Sequence, residues 1–465
     1  MRVMQLSRPK VAIVTLSLML SVTTWSLPAS AAALPQRPEA QQEFWARYDK
    51  KDWSAAIDEA RRMVEQARAD AKAQPIALAN ALTLLGNAQL SSGDKAGAEP
   101  SYREALQITE QQLGAASAAM LDPLRGLGYS LALLDRHEEA IPYLERSLVI
   151  GRRSFGLFDM AQQGVLRQLA ASLTQTGKVV DASKHMQYLQ RIGERTYGER
   201  DPRMAPVLCV VGDWYVDTGN FMLGRDRYRD ALEIVERKLG KTDPALVDPL
   251  RSLARSYVQE IFFMTQGYQA LQERAPLDLQ GTEPKGINPK YISSDGEKAL
   301  ERALAILEAR PDTTPTLLAN TLIQLGDWFQ LKHQPDKSLA HYRRAAALVV
   351  SDSSPEAAAA PLSFPVRLYY PLPPLAMRNR QLAPEQIDEK FVAVQFTVTG
   401  AGEVQDAKVI EQNGTTRQAS EALQAIRAAR YRPKFVNGEP VDTLGVINRE
   451  VFKTRKQQSD EGKES

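Results

Sequence analysis

Cysteine is almost missing: this chain of 465 residues holds one, Cys209. No intramolecular disulfide and no cysteine-built zinc site can form. A lone cysteine in an apolar helical stretch reads as a small core residue rather than a reactive thiol. Histidine is nearly as scarce, at His137, His185, His333 and His341, and no two stand four apart as a helical metal motif needs. Glycine-rich phosphate loops and nucleophile elbows are absent. Acidic residues such as Glu110, Glu138 and Glu139 fall on charged helix faces, where solvated carboxylates are usual. The sequence therefore gives no catalytic, metal or cofactor site, and no small-molecule substrate is expected. Charge of one sign is lacking too: the net charge is +2, so no overall field draws nucleic acid or an anionic membrane.

Long apolar runs are also rare. The one from Val11 to Leu27 follows Arg2, Arg8 and Lys10 and precedes Pro28 and Ala29-Ser30-Ala31-Ala32-Ala33. A basic start, an apolar stretch and small residues form the layout of an export signal over 1–33, cleaved after Ala31 or Ala33. No cysteine directly follows the run for lipid attachment. The expected location is the periplasm; the alternative is an uncleaved inner-membrane anchor, the one way this chain would meet a membrane.

What the sequence does have is a repeat. Gly86, Gly128, Ala170, Gly212 and Ala254 each follow a large aliphatic residue at a constant step of 42 positions. Ala56, Ala98, Ala140, Ala182 and Gly224 keep the same step, as do Gly114, Gly156, Gly198 and Gly240. Paired antiparallel helices explain all three registers. Small residues let two backbones approach, large ones such as Tyr102, Leu144 and Tyr228 fill the groove, and the glycines end each second helix in a left-handed cap. Asp201-Pro202 and Asp243-Pro244 restart the next helix. The step breaks once, with surplus residues at 262–294 read as a long loop.

Leu-Gly late in a first helix, an aromatic three positions on and alanine later resembles the tetratricopeptide repeat, as in Leu325-Gly326, Phe329, Tyr342 and Ala345. The longer unit resembles the kinesin-light-chain-like variety. The resemblance implies a right-handed α-solenoid of about seven helix pairs over 34–350, with first helices lining a concave face. In peptide-binding members, positions there grip a ligand carboxylate. Here they hold Asn87, Arg125, Arg167, Asp213, Arg251 and Arg255, a candidate site for an acidic peptide.

A linker at 351–361 ends the helical pattern. Phe391 to Thr399 alternates, Gly400-Ala401-Gly402 turns, and Val404 to Glu411 returns. Ala419, Ala422, Leu423 and Ile426 make a helical stripe, and Gly445 to Phe452 a final strand. The fold class expected is thus mostly α, a solenoid followed by a small α+β domain with a three-stranded antiparallel sheet and one helix. Over 362–456, Tyr370-Pro371, the Phe-x-Val strand, Tyr431-Arg432-Pro433 and Asn437 to Val441 resemble the C-terminal domain of TonB. A polar tail occupies 457–465.

The TonB resemblance implies strand addition, in which an exposed sheet edge pairs with an extended receptor segment. Its candidate residues are Tyr370, Pro371, Tyr431, Pro433, Val446 and Asn448, with Thr443 to Lys453 as the edge. This chain departs from TonB in having no histidine before His137 and no long proline-rich spacer. The expected function is a non-enzymatic periplasmic adaptor for cell-envelope proteins, an outer-membrane receptor among the candidates. The alternative is a membrane-anchored energy transducer of TonB type.

Overall fold

The computed structural model describes residues 41–70, 72, 74–263, 292–350, 360–373, 376 and 387–456. The export segment, the polar tail, and most of 262–294 and 351–361 lie outside the described residues.

Among the described residues, fourteen helices form antiparallel pairs: α1 (Gln42–Asp49) with α2 (Trp53–Ala69), α3 (Pro75–Ser92) with α4 (Lys95–Leu113), and α5 (Leu121–Leu133) with α6 (His137–Phe155). Then come α7 (Gln163–Gln175) with α8 (Val179–Tyr197), and α9 (Met204–Asp217) with α10 (Phe221–Leu239). The last are α11 (Val247–Phe262) with α12 (Ser294–Glu308), and α13 (Pro315–Leu331) with α14 (Pro335–Val350). The repeat step is visible as equal lengths, since α4, α6, α8 and α10 all have 19 residues. One apolar core runs from Ala98 to Ala346, and a second fills the first units around Phe44 and Leu82.

The small residues sit where helices cross. Ala56, Ala98, Ala140 and Ala182 are fully buried. A Cβ on Gly212 would lie 3.0 Å from the Gly224 carbonyl oxygen and 2.7 Å from Tyr228 Cε1, so α9 and α10 touch backbone to backbone.

Two local expectations need correcting. Gly114, Gly156, Gly198 and Gly240 have positive φ, but their ψ values of 162, 168, 143 and 170° lie far from the left-handed helix. The chain leaves each helix extended instead of curling back, in a region only glycine enters readily. Likewise Pro244 opens a 3-10 turn, Pro244–Leu246, capped by Asp243, and α11 starts only at Val247. Ala118–Met120 and Met160–Gln162 do the same before α5 and α7.

The C-terminal domain has the expected sheet, with β2 (Ile387–Val398) central between β3 (Val404–Gln412) and β7 (Thr443–Arg455), all antiparallel. Helix α15 (Thr416–Ala428) packs on β2 and β3, its start fixed by a capping box between Thr415 and Gln418. Four short strands add to it: β1 (Val366–Tyr369) pairs with β4 (Arg430–Arg432), and β5 (Lys434–Val436) with β6 (Glu439–Val441). Its core gathers Tyr370, Val392, Val394, Phe396, Ile426 and Phe452.

The two parts are docked. Phe435 of β5 joins the solenoid core, its ring edge-on to Tyr342 at 6.0 Å. Arg432 of β4 donates to both carboxylate oxygens of Asp327 on α13, at 2.8 and 2.5 Å. Gln330 donates to the Ala401 carbonyl at 2.8 Å, and Arg343 pairs with Glu439 at 3.0 Å.

Candidate binding surfaces

A hydrogen-bonded ladder organises the concave face. Where the groove-filling residue is tyrosine, its hydroxyl donates to the side chain just after the small residue. Tyr102 reaches Asn87, Tyr228 reaches Asp213 and Tyr342 reaches Asp327, each at 2.7 Å. Burial raises all three phenols well above their usual range, so they stay protonated donors.

Each aspartate then takes an arginine. Asp213 accepts from Arg255, the residue one unit further on, at 2.8 Å. Asp327 has no further repeat beyond it, and Arg432 from the C-terminal domain fills that role. The sheet domain thus docks in the position of an eighth unit. Sequence reading placed Arg432 in Tyr431-Arg432-Pro433 without joining it to Asp327. The kinship of Asp213 and Asp327 was the available signal.

The remaining concave candidates are spread along the groove. Arg125 is half-buried and pairs with Asp122 one turn away. Arg167 and Arg251 are partly buried, and burial pulls both guanidinium groups below their usual range, against the opposing pulls of Asp213 and Asp248. Arg251 donates to Gln324 at 2.9 Å. Tyr129, between Arg125 and Arg167, is pushed up to about 12 by burial. Asp217, the last residue of α9, went unnoticed in the sequence. Loss of surrounding water, then the charge of Asp213, push its carboxyl up to about 6, with Arg255 pulling the other way. Cys209 is buried in α9 and its thiol is raised far above the usual range by that burial.

On the sheet domain the candidates divide. Tyr370, Tyr431 and Pro433 are buried and Pro371 is half-buried. The Tyr370 hydroxyl donates to Glu450 on β7 at 2.6 Å, and Arg367 of β1 donates to Asn448 at 3.0 Å. Val446, Asn448 and Phe452 turn toward this side, whereas Ile447, Arg449 and Val451 face out. A bulge at Gly445, φ 70°, brings Leu444 onto the outer face as well, 77% exposed. Among the described residues, β7 pairs with β2 alone and stands last in the sheet order.

Among the described residues no group of histidine, cysteine, aspartate or glutamate could hold a metal ion, and no helix is long and apolar enough to cross a membrane.

Comparison with known proteins agrees with both halves. Residues 389–453 match the family described as the Gram-negative bacterial TonB protein C-terminal, and residues 79–112 match the tetratricopeptide repeat. No curated protein matches by sequence. Among solved structures, BtubC (BKLC) from P. vanneervenii is 19% identical, with 64% of this chain and 91% of that one covered, at a TM-score of 0.32. A putative kinesin light chain of Podosopora anserina, with nearly identical TPR-like repeats, is 15% identical over 50% of this chain and 97% of its own, at 0.38. The quorum sensor NprR from B. thuringiensis, in its apo form, is 17% identical over 66% and 86%, at 0.34. Both matched families are interaction modules, and the TonB match suggests an envelope-related role. Tetratricopeptide-type repeats and a TonB-like C-terminal domain are therefore the two modules of this chain.

Proposed function

We propose that this chain is an exported, non-enzymatic periplasmic adaptor that binds an envelope partner by strand addition at β7. The observation that carries the reading is the place of β7 at the end of the sheet order, a strand of 13 residues that pairs with β2 alone among the described residues. An added strand gains its affinity from main-chain hydrogen bonds and needs little side-chain chemistry. On this reading Val446 and Asn448 set the register, while Tyr370, Pro371, Tyr431 and Pro433 hold the edge in shape from behind. The concave face, with Asn87, Arg125, Arg167, Asp213, Arg251 and Arg255, takes an acidic segment of a second protein. A carboxylate beside Arg167 or Arg251 would offset the cost of keeping those cations out of water.

In-cell photo-crosslinking tests the edge. A photoreactive residue at Ile447 or Val451 should give adducts with envelope proteins, and prolines placed at two neighbouring β7 positions should abolish them. Adducts that survive the prolines, or none at all, would rule out strand addition. The basic and apolar N-terminus also supports an anchored energy transducer. N-terminal sequencing separates the two, since a start near Ala32 or Leu34 leaves no anchor.

A further inference from the structure

The turns that end α4, α6, α8 and α10 line up along one edge of the solenoid. Equivalent contacts tie three of them to the next second helix: Arg146 donates to the Ala115 carbonyl, Tyr188 to Leu157 and Arg302 to Lys241. The turns after α4, α6 and α10 carry exposed apolar side chains. Leu113 is 48% exposed, Phe155 58%, Leu157 57%, Phe158 45% and Leu239 50%. Isolated exposed leucines are ordinary, but the same position exposed in three of four repeats, with three large apolar residues within a single turn, is not.

Cations surround the row. Arg153, Arg195, Arg200, Lys238 and Lys241 are all exposed on these turns. The acids among them are mostly occupied: Asp159 and Asp243 cap the 3-10 turns, Asp201 pairs with Arg203, and Glu110 with Arg146. Glu199 is the exception, on the same turn as Arg200. The near-neutral net charge of the whole chain conceals this local excess.

We propose that this rim rests on an anionic lipid bilayer, with Leu113, Phe155, Leu157, Phe158 and Leu239 dipping into the headgroup layer. Convex tips separated by turns suit a soft, flat surface; a protein ligand would need a groove to receive its own side chains. Apolar tips ringed by lysine and arginine are the composition of an interfacial contact, in which each basic group adds attraction to anionic headgroups. The contact is independent of the N-terminal apolar run and of the β7 edge.

The full chain can be tested with an environment-sensitive fluorophore on Leu157→Cys or, as control, Val180→Cys. Val180 is 73% exposed at the far end of α8, roughly 25 Å from the rim at 1.5 Å per helical residue. Buried Cys209 does not compete for the label. With vesicles of phosphatidylcholine and phosphatidylglycerol, emission from position 157 should shift to the blue while that from 180 stays unchanged, even if an N-terminal anchor also holds the chain. Reversing Arg153, Arg200 and Lys241 to glutamate should lower the insertion equilibrium at 157 by more than about a hundredfold. A label at 157 that stays in water, equal responses at both sites, or indifference to the charge reversals would each overturn the proposal.

Discussion

Asp217 is a single carboxyl with a consequence for the whole fold. Its folded value of about 6 lies above the unfolded carboxylate value of about 3.9, so the native state holds this proton more tightly. Stability from this group is therefore present at low pH and lost as pH rises from about 4 through about 6. Asp217→Asn should flatten that part of the profile, raising Tm at neutral pH and leaving it nearly unchanged at about pH 4. Melting both proteins across that range checks it, and parallel curves would mean the carboxyl is ordinary. None of this was legible in the sequence, where Asp217 is one acid among many on helices. Its shift depends on loss of surrounding water and on Asp213 and Arg255, one of them a unit away.

For the helices, the decisive quantity is the gap between neighbours. Gly212→Ala gains up to about 1 kcal/mol of helix preference. It also pushes a methyl against Tyr228 and the Gly224 carbonyl, and such overpacking costs about 1–3 kcal/mol. The clash wins, and a net loss of about 1–2 kcal/mol in urea unfolding is expected. Gly151→Ala is the control: its new methyl would find only Leu121 at 3.8 Å, so it should be neutral or stabilising. Equal effects at the two sites would contradict the backbone contact. The helices were legible because one step of 42 repeats in three registers, and each register answers to a crossing, a groove or a turn. The strands β1, β4, β5 and β6 left no such trace, since three or four residues are too few to show alternation. The 3-10 turns were hidden because proline marks where the chain turns, not which helix follows.

At the scale of the molecule, the junction between modules sets behaviour. Asp327 and Arg432 are 105 positions apart in sequence, and their side chains are 14% and 13% exposed. Arg432→Met strands a largely buried carboxylate, and breaking such a pair costs about 3–5 kcal/mol. Calorimetry should show one cooperative transition for the parent chain and two for the variant, as the sheet domain loses its hold on α13. A variant that melts like the parent would show that Phe435 and Gln330 suffice. This pairing was not legible because a contact made once, between a helix and a distant strand, has no period. Its components were each visible only as parts of their own motifs.

Docking through Asp327, Gln330 and Phe435 also removes the slack that a linker alone would leave between groove and edge strand. If both proposed surfaces bind, they become the arms of a fixed bracket. A ligand long enough to touch both meets the second arm already aimed, so avidity comes without first freezing a hinge. A ligand of the wrong span gains nothing from the second arm, which makes length itself a selected property of whatever this chain holds.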